Sequence, residues 1–83
     1  MPAHALGQNF LLRVAKRIAR KRRARGVTQE ELAHRLRTPV RVVQRFESGE
    51  QNLTLLSIYK IAEALGVSPE DLIVPPPDPP SET

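Results

Sequence analysis

The sequence predicts an all-α fold of five short helices, and three observations support this prediction. Apolar residues recur at helical spacing in successive segments, a serine or threonine precedes several of these segments, and a glycine follows three of them. A chain of 83 residues has room for one domain with a single small core. We therefore expect one helical domain over residues 9–74, between a flexible N-terminus (1–8) and a disordered proline-rich tail (75–83).

Apolar residues spaced three and four apart predict a first helix from Asn9 to Arg25. Gly26 is placed to end this helix. The stripe expected to face the core consists of Phe10, Leu11, Val14, Ala15 and Ile18.

Thr28, followed three residues later by Glu31, has the pattern of a capping box and predicts the start of a second helix. The apolar residues that this helix is expected to bury are Leu32, Ala33 and Leu36.

A third helix is predicted by Thr38 at the cap position and Pro39 in the first turn, and Gly49 is placed to end it. Val43 and Phe46 lie on its apolar side. Only about three residues separate the second and third helices, and two short helices joined in this way form a helix-turn-helix.

Thr54 is the expected cap of a fourth helix, which Gly66 ends. A short fifth helix is predicted by Ser68 as its cap and Pro69 at its first position. The core stripe of the fourth helix consists of Leu55, Ile58, Ile61, Ala62 and Leu65.

Charge divides the chain into a basic half and an acidic half. Between Arg13 and Arg45 there are twelve Lys and Arg against two acids, a local balance of +10, whereas from Phe46 onward one lysine stands against seven acids, a balance of −6. A basic half of this kind favours binding to a polyanion such as a nucleic acid. A solvated basic helix fits the charge equally well, so charge alone leaves both interpretations open.

Several classes of protein and site are disfavoured by composition. The absence of cysteine excludes disulfides, thiolate zinc sites and a cysteine nucleophile. With only His4 and His34, no paired acids in a cleft-forming context and no glycine-rich phosphate loop, we expect neither an enzyme, a metal site nor a cofactor. No stretch approaches the roughly 18 apolar residues of a membrane span, and Met1–Gln8 lacks the features of a secretory signal, so we expect a soluble cytoplasmic protein that does not bind membranes.

Three separated segments carry a further signal, namely TQEELA at residues 28–33, FESG at 46–49 and the pattern LxxIxxIAxALGVS at 55–68. At this spacing they resemble the Cro/lambda-repressor-like (XRE) helix-turn-helix family over about residues 14–72. In its length and in the run ESGEQNLT at 47–54, the chain resembles the small restriction-modification controller proteins of that family. The resemblance implies a five-helix lambda-repressor-like domain and a bacterial or phage transcription regulator.

The sequence departs from the family pattern in the turn before the third helix. Arg37 stands where the family usually has glycine, and Thr38 and Pro39 replace the usual cap serine. The backbone at Arg37 must therefore either adopt a left-handed conformation at some cost or turn differently. This departure concerns the pitch of the third helix and not the fold.

The resemblance implies that the third helix lies in the major groove of double-stranded DNA, with the N-terminus of the second helix against the phosphate backbone. The family's base-facing positions hold Val40, Arg41, Gln44 and Arg45. Arginine pairs with guanine, glutamine pairs with adenine, and valine meets a thymine methyl group.

Other positions of the resemblance imply structural or phosphate-binding roles. Arg22 and Glu47 match family positions that form a structural ion pair between the first helix and the end of the third. Gln29 matches a position that contacts phosphate. Further phosphate contacts are expected from cations of the first helix and from polar residues after the third, namely Arg17, Arg20, Arg23, Ser48, Gln51 and Asn52.

A homodimer is expected because one small reading helix covers only a few base pairs, and two copies on a (pseudo)palindromic operator are the usual solution. Its interface is expected among the apolar residues left over after the core is filled, which are Leu56, Tyr59, Leu72, Ile73 and Val74.

The main alternative is a protein-interaction module, such as an antitoxin or a bridging coactivator, for which DNA binding would be secondary. Its partner would be a toxin or RNA polymerase. The polar, cationic outer face of the third helix favours DNA, whereas an aliphatic face there would have favoured a protein. An antitoxin that represses its own promoter satisfies both interpretations. RNA binding is less favoured, since one tyrosine and two phenylalanines offer little stacking surface.

Overall fold

The computed structural model of the protein describes residues 3–73, with side chains from residue 7 onward. Val74 and the proline-rich segment 75–83 lie outside this range. The described residues form five helices and no strand, which confirms the predicted all-α, five-helix architecture. The helices are α1 (Ala3–Ala24), α2 (Gln29–Leu36), α3 (Val40–Ser48), α4 (Leu55–Leu65) and α5 (Glu70–Ile73).

Helix α1 begins at Ala3, six residues before the expected start at Asn9. Helical structure thus covers most of the segment 1–8 that the sequence analysis expected to be flexible. Alanine is the strongest helix former, and a single glycine at Gly7 costs only about 1 kcal/mol. The buried residues of α1 start at Val14, so the prediction of a core role for Phe10, which is 45% exposed, was wrong.

Helix α2 has the capping box that its sequence predicted. The Thr28 hydroxyl accepts from the Glu31 N–H at 3.0 Å, and the Glu31 carboxylate accepts from the Thr28 N–H at 3.1 Å. At the other end, Arg37 adopts the left-handed conformation (φ 57°, ψ 48°), the first of the two expected alternatives. Its N–H donates to the Ala33 and His34 carbonyls at the end of the helix, and the Ala33 carbonyl also accepts from the Thr38 N–H.

Helix α3 is capped differently from the prediction. Pro39, and not Thr38, occupies the N-cap position, and it provides no side-chain hydrogen bond. The Thr38 N–H donates back to the Ala33 carbonyl at 3.0 Å, so Thr38 belongs to the end of α2. Proline costs little here because N–H groups at a helix start have no partner within the helix.

The hydrophobic core lies where α1 packs against α3 and α5, and where α2 packs against α3 and α4. Its largest fully buried side chains are Ile18, Leu32, Ile61, Leu72 and Val43. Among residues 3–73, no helix is long and apolar enough to cross a bilayer.

Two apolar residues have roles opposite to those expected. Leu55 was assigned to the core but is 79% exposed, because it occupies the first position of α4, ahead of the buried stripe that begins at Ile58. Leu72 was assigned to a dimer interface but is fully buried, because α5 packs against α1 and inserts this side chain into the core. The C-terminal apolar residues were therefore not all left over after the core is filled.

Candidate nucleic-acid interface

The outer face of α3 carries three exposed polar side chains, those of Arg41, Gln44 and Arg45. Their spacing places them on one side of the helix, while Val43 and Phe46 turn the opposite side into the core. Among residues 7–73 these three side chains form no hydrogen bond or ion pair. The face is therefore available to a ligand that presents hydrogen-bond acceptors or negative charge.

Val40, the fourth base-facing position expected from the sequence, lies differently. Its side chain is partly buried and packs against the core cluster. Only part of its apolar surface is therefore accessible at the N-terminal end of α3.

The C-terminal end of α3 is held to α1 by a two-pronged ion pair between Arg22 and Glu47. The Arg22 Nε donates to Oε2 at 2.6 Å and Nη2 donates to Oε1 at 3.0 Å, while Nη1 donates to the Val27 carbonyl at 2.9 Å. Hydrogen bonding to Glu47 raises the pKa of Arg22 above its ordinary, already high value, so this side chain remains charged. The pair fixes the orientation of α3 relative to the rest of the domain.

Gln29 joins this network from the N-terminus of α2. Its Nε2 donates to Glu47 Oε1 at 3.0 Å, so the side chain assigned to phosphate binding contacts the carboxylate in the free protein. No local pattern predicts this contact, because the two residues lie 18 positions apart. Helices α1, α2 and α3 thus meet at one carboxylate.

The cationic side chains of α1 lie on more than one flank of the helix. Leu12 lies against the glycine after α3, since a Cβ added at Gly49 would meet Leu12 Cδ2 at 2.6 Å. Lys16 and Arg23 follow Leu12 by four and eleven positions, which brings both to the same flank of the helix. This flank therefore faces the C-terminal end of α3.

Arg17 lies on a different flank of α1. It lines a surface hollow together with Phe10, Arg13 and Ile73, on the side where α5 packs. Arg20 is exposed and lies between the two flanks. Of the three cations of α1 predicted to contact phosphate, the structure brings Arg23 toward α3 and places Arg17 away from it.

The loop after α3 contains the remaining polar residues predicted to contact phosphate. Asn52 is exposed and Gln51 is half-buried. The Ser48 hydroxyl lies 3.2 Å from the Arg45 carbonyl and 3.1 Å from a Glu50 carboxylate oxygen. The neighbouring Glu50 makes Ser48 the least suited of the three to an anion.

Two arginines have structural roles that the sequence analysis missed. Arg25 Nη2 donates to the Gly66 carbonyl at 2.8 Å, and Arg35 Nη1 donates to the Ala64 carbonyl at 2.7 Å. Both satisfy carbonyls at the C-terminal end of α4, where positive charge is favoured. These contacts span 41 and 29 positions, so no local sequence signal predicts them.

An apolar patch on α4 is formed by Leu55, Leu56 and Tyr59, which are 79%, 60% and 52% exposed. Leu56 and Tyr59 were predicted as interface residues, and Leu55 was missed because its helical spacing matched the core stripe. Ile73 is half-buried in α5. Large apolar side chains clustered at the surface in this way are typical of a contact with another protein.

Comparison with known proteins places this geometry in a family. Residues 18–72 match the helix-turn-helix family HTH_3. The chain is 39% identical over 62 residues to the uncharacterized HTH-type transcriptional regulator y4dJ of Sinorhizobium fredii, with 75% of this chain and 80% of that protein covered.

Two solved structures resemble the domain. One is the restriction-modification controller protein C.AhdI of Aeromonas hydrophila, with a TM-score of 0.71, 34% identity, and 75% of this chain and 94% of that chain covered. The other is the hypothetical transcription factor NHTF from Neisseria, with a TM-score of 0.75, 33% identity, and 81% and 77% covered. The chain therefore belongs to the XRE-type helix-turn-helix family of DNA-binding transcriptional regulators and is not an enzyme.

Proposed function

We propose that the protein acts as a homodimer on a two-fold symmetric operator, with α3 of each protomer in the major groove. The observation that carries this proposal is the exposed face of Arg41, Gln44 and Arg45, whose side chains have no partner among residues 7–73. The Arg22–Glu47 pair supports it, because a reading helix must be held at a fixed angle to present its side chains to base edges.

Each side chain on this face suits a particular feature of a base pair. Arg41 and Arg45 can each donate two hydrogen bonds to guanine O6 and N7, and the Gln44 amide fits adenine N6 and N7. Val40 offers apolar surface to a thymine methyl group, although its packing against the core limits its reach. We propose that Arg41, Gln44 and Arg45 supply most of the sequence preference.

Phosphate contacts are proposed on both sides of α3. Arg23, with Lys16 beside it, lies on the flank of α1 that faces the end of α3, and Asn52 is exposed in the following loop. Gln29 retains a donor for phosphate, because its amide nitrogen carries two hydrogens and Glu47 accepts only one of them.

Dimerisation is proposed through the apolar patch of Leu55, Leu56 and Tyr59, whereas Ile73 lies against α1, beside Phe10 and Arg17. This proposal drops Leu72, whose side chain has no exposed surface, and adds Leu55. The patch consists of α4 residues only, and a dimer formed through it would leave the outer face of each α3 open to DNA.

Selection of bound duplexes from a random DNA pool, followed by fluorescence anisotropy at several salt concentrations, tests the proposal. We expect a two-fold symmetric consensus that binds far more tightly than scrambled DNA. The half-site spacing should be close to one helical turn, about 34–36 Å, or a multiple of it. Salt-sensitive binding without a consensus would contradict the proposal and would make a protein partner, such as a toxin, the next candidate.

A further inference from the structure

Arg37 is the single non-glycine residue with a positive φ among residues 3–73. Its φ of 57° and ψ of 48° are those of a left-handed turn, a conformation that glycine adopts without steric cost and arginine does not. A strained backbone position persists only where the surrounding structure enforces it, and such positions cluster at functional sites. The side chain at this position therefore calls for a functional explanation.

Two other arginines have structural contacts within the domain that Arg37 lacks. Arg25 and Arg35 both donate to carbonyls at the end of α4 and so hold the domain together. Arg37 is exposed, and among residues 7–73 its side chain makes no hydrogen bond or ion pair. Hydrogen bonds and ion pairs within the described residues thus give no reason for arginine over glycine.

The position of Arg37 brings it close to the end of α3 that enters the groove. It lies two residues before Pro39, the N-cap of α3, and four residues before Arg41. Arg37 also lines a surface hollow of about 530 Å³ with Arg35, Lys60 and a single acid, Glu63, so the surroundings are positively charged overall.

We propose that Arg37 donates to a phosphate of the DNA backbone at the edge of the groove that receives α3. This inference rests on the docking of α3 proposed above. A phosphate contact explains why a long cationic side chain occupies a turn whose backbone favours glycine. Guanidinium and phosphate oxygens form strong, charge-assisted hydrogen bonds. The contact would add affinity without adding base preference.

Helix α2 offers a purely structural alternative, because a cation at its C-terminus interacts favourably with the helix dipole. The two explanations predict opposite effects of removing the side chain. If Arg37 only stabilises α2 through the helix dipole, its loss lowers the stability of the fold and leaves DNA binding unchanged. If Arg37 binds phosphate, its replacement by glycine relieves the backbone strain at residue 37 and weakens DNA binding.

The variants Arg37→Gly and Arg37→Asn test the proposal, since both residues tolerate a left-handed backbone and neither carries charge. We expect Arg37→Gly to raise the thermal midpoint by roughly 4 °C. Both variants should weaken binding to operator and scrambled DNA alike, by about tenfold at low salt. The slope of log affinity against log salt should fall by about 0.9 per protomer.

Two comparison variants separate the possible failures. Arg13→Gln removes one charge beside Ile73, on the flank of α1 toward α5, and should leave the salt slope unchanged. Arg41→Ala tests the docking of α3 itself. If Arg37→Gly keeps the wild-type affinity or the wild-type salt slope while Arg41→Ala weakens binding, the phosphate contact is wrong and the docking stands. If neither variant changes binding, both proposals are wrong.

Discussion

Arg41 is the side chain through which base reading is tested most directly, because it is exposed in the first turn of α3 and engages no other described side chain. Arg41→Ala should weaken operator binding by about 1–3 kcal/mol and relax the preference at one base pair. Arg23→Ala should instead weaken binding to all duplexes about equally, since phosphate carries no sequence information. Anisotropy titrations against the operator and its single-base variants distinguish the two effects. Unchanged discrimination in Arg41→Ala would place the base contacts elsewhere.

Glu47 is the residue whose loss should damage the fold most specifically. Glu47→Ala leaves the Arg22 guanidinium in a nearly buried position without its carboxylate, and it also removes the partner of Gln29. We expect a loss of about 3 kcal/mol in the free energy of unfolding, because an unpaired buried charge is costly. Chemical denaturation measures it. Glu50→Ala, at an exposed carboxylate nearby, is the control and should change stability by less than about 0.5 kcal/mol. Equal losses in both variants would contradict a structural role for the pair.

At the residue scale, the sequence predicts roles that a family pattern or local spacing encodes. The exposed face of α3 followed from helical spacing, and the pairing of Arg22 with Glu47 followed from the resemblance. The Gln29–Glu47 contact and the arginine contacts to the end of α4 did not follow, because they join residues that only the tertiary fold brings together.

Helix ends are the best-predicted features at the scale of elements, and burial is predicted less well. The capping box at Thr28 and the glycines after α3 and α4 act through hydrogen bonds to nearby residues of the same helix. The local sequence is therefore sufficient to predict them. Phe10 and Leu55 have the right spacing for a core stripe yet stay exposed. A side chain is buried only where a neighbouring helix packs over that part of its own helix. Leu72 is buried for the converse reason, since α5 packs against α1.

The start of α2 should give the protein a specific sensitivity to acid. The Thr28 N–H, and then its hydroxyl, lower the pKa of Glu31 below its ordinary value. A carboxyl with a lowered folded pKa contributes stability above its unfolded pKa and loses that contribution as the pH falls through the folded pKa. Glu31→Gln keeps the shape of the capping box and removes the titrating group. The difference in thermal midpoint between wild type and variant should therefore shrink from about pH 7 to about pH 3. A constant difference would contradict this account.

For the whole molecule, the apolar patch determines whether two copies associate. Leu56→Glu places a charge at its centre and should lower the mass measured by sedimentation equilibrium from dimer to monomer, because burying an unpaired charge is unfavourable. His34→Glu introduces the same side chain at an exposed position of α2 and serves as the control. A Leu56→Glu variant that remains dimeric would exclude the patch as the interface. The monomeric variant should also lose most of its operator affinity, since one reading helix contacts only a half-site.

The all-α, five-helix fold was predicted correctly because the helices are short and their order leaves few ways to bury the apolar stripes. The exception is the extent of α1, which begins at Ala3, well before the family match at residues 18–72. A family pattern that begins at residue 18 gives no information about the first part of this helix, and helix propensity was the only signal for it.

The uneven distribution of charge over the helices also has a kinetic consequence. Helix α1 carries seven cations and no acid, whereas α5 carries two acids and no cation. Charge is therefore unevenly distributed over the protein, and a polyanion attracts its cationic faces before any contact forms. The collisions that the protein makes with DNA are biased toward one orientation, which shortens the rotational search for the bound pose. Association should accordingly slow as salt is added, even for binding sites whose dissociation rate does not change.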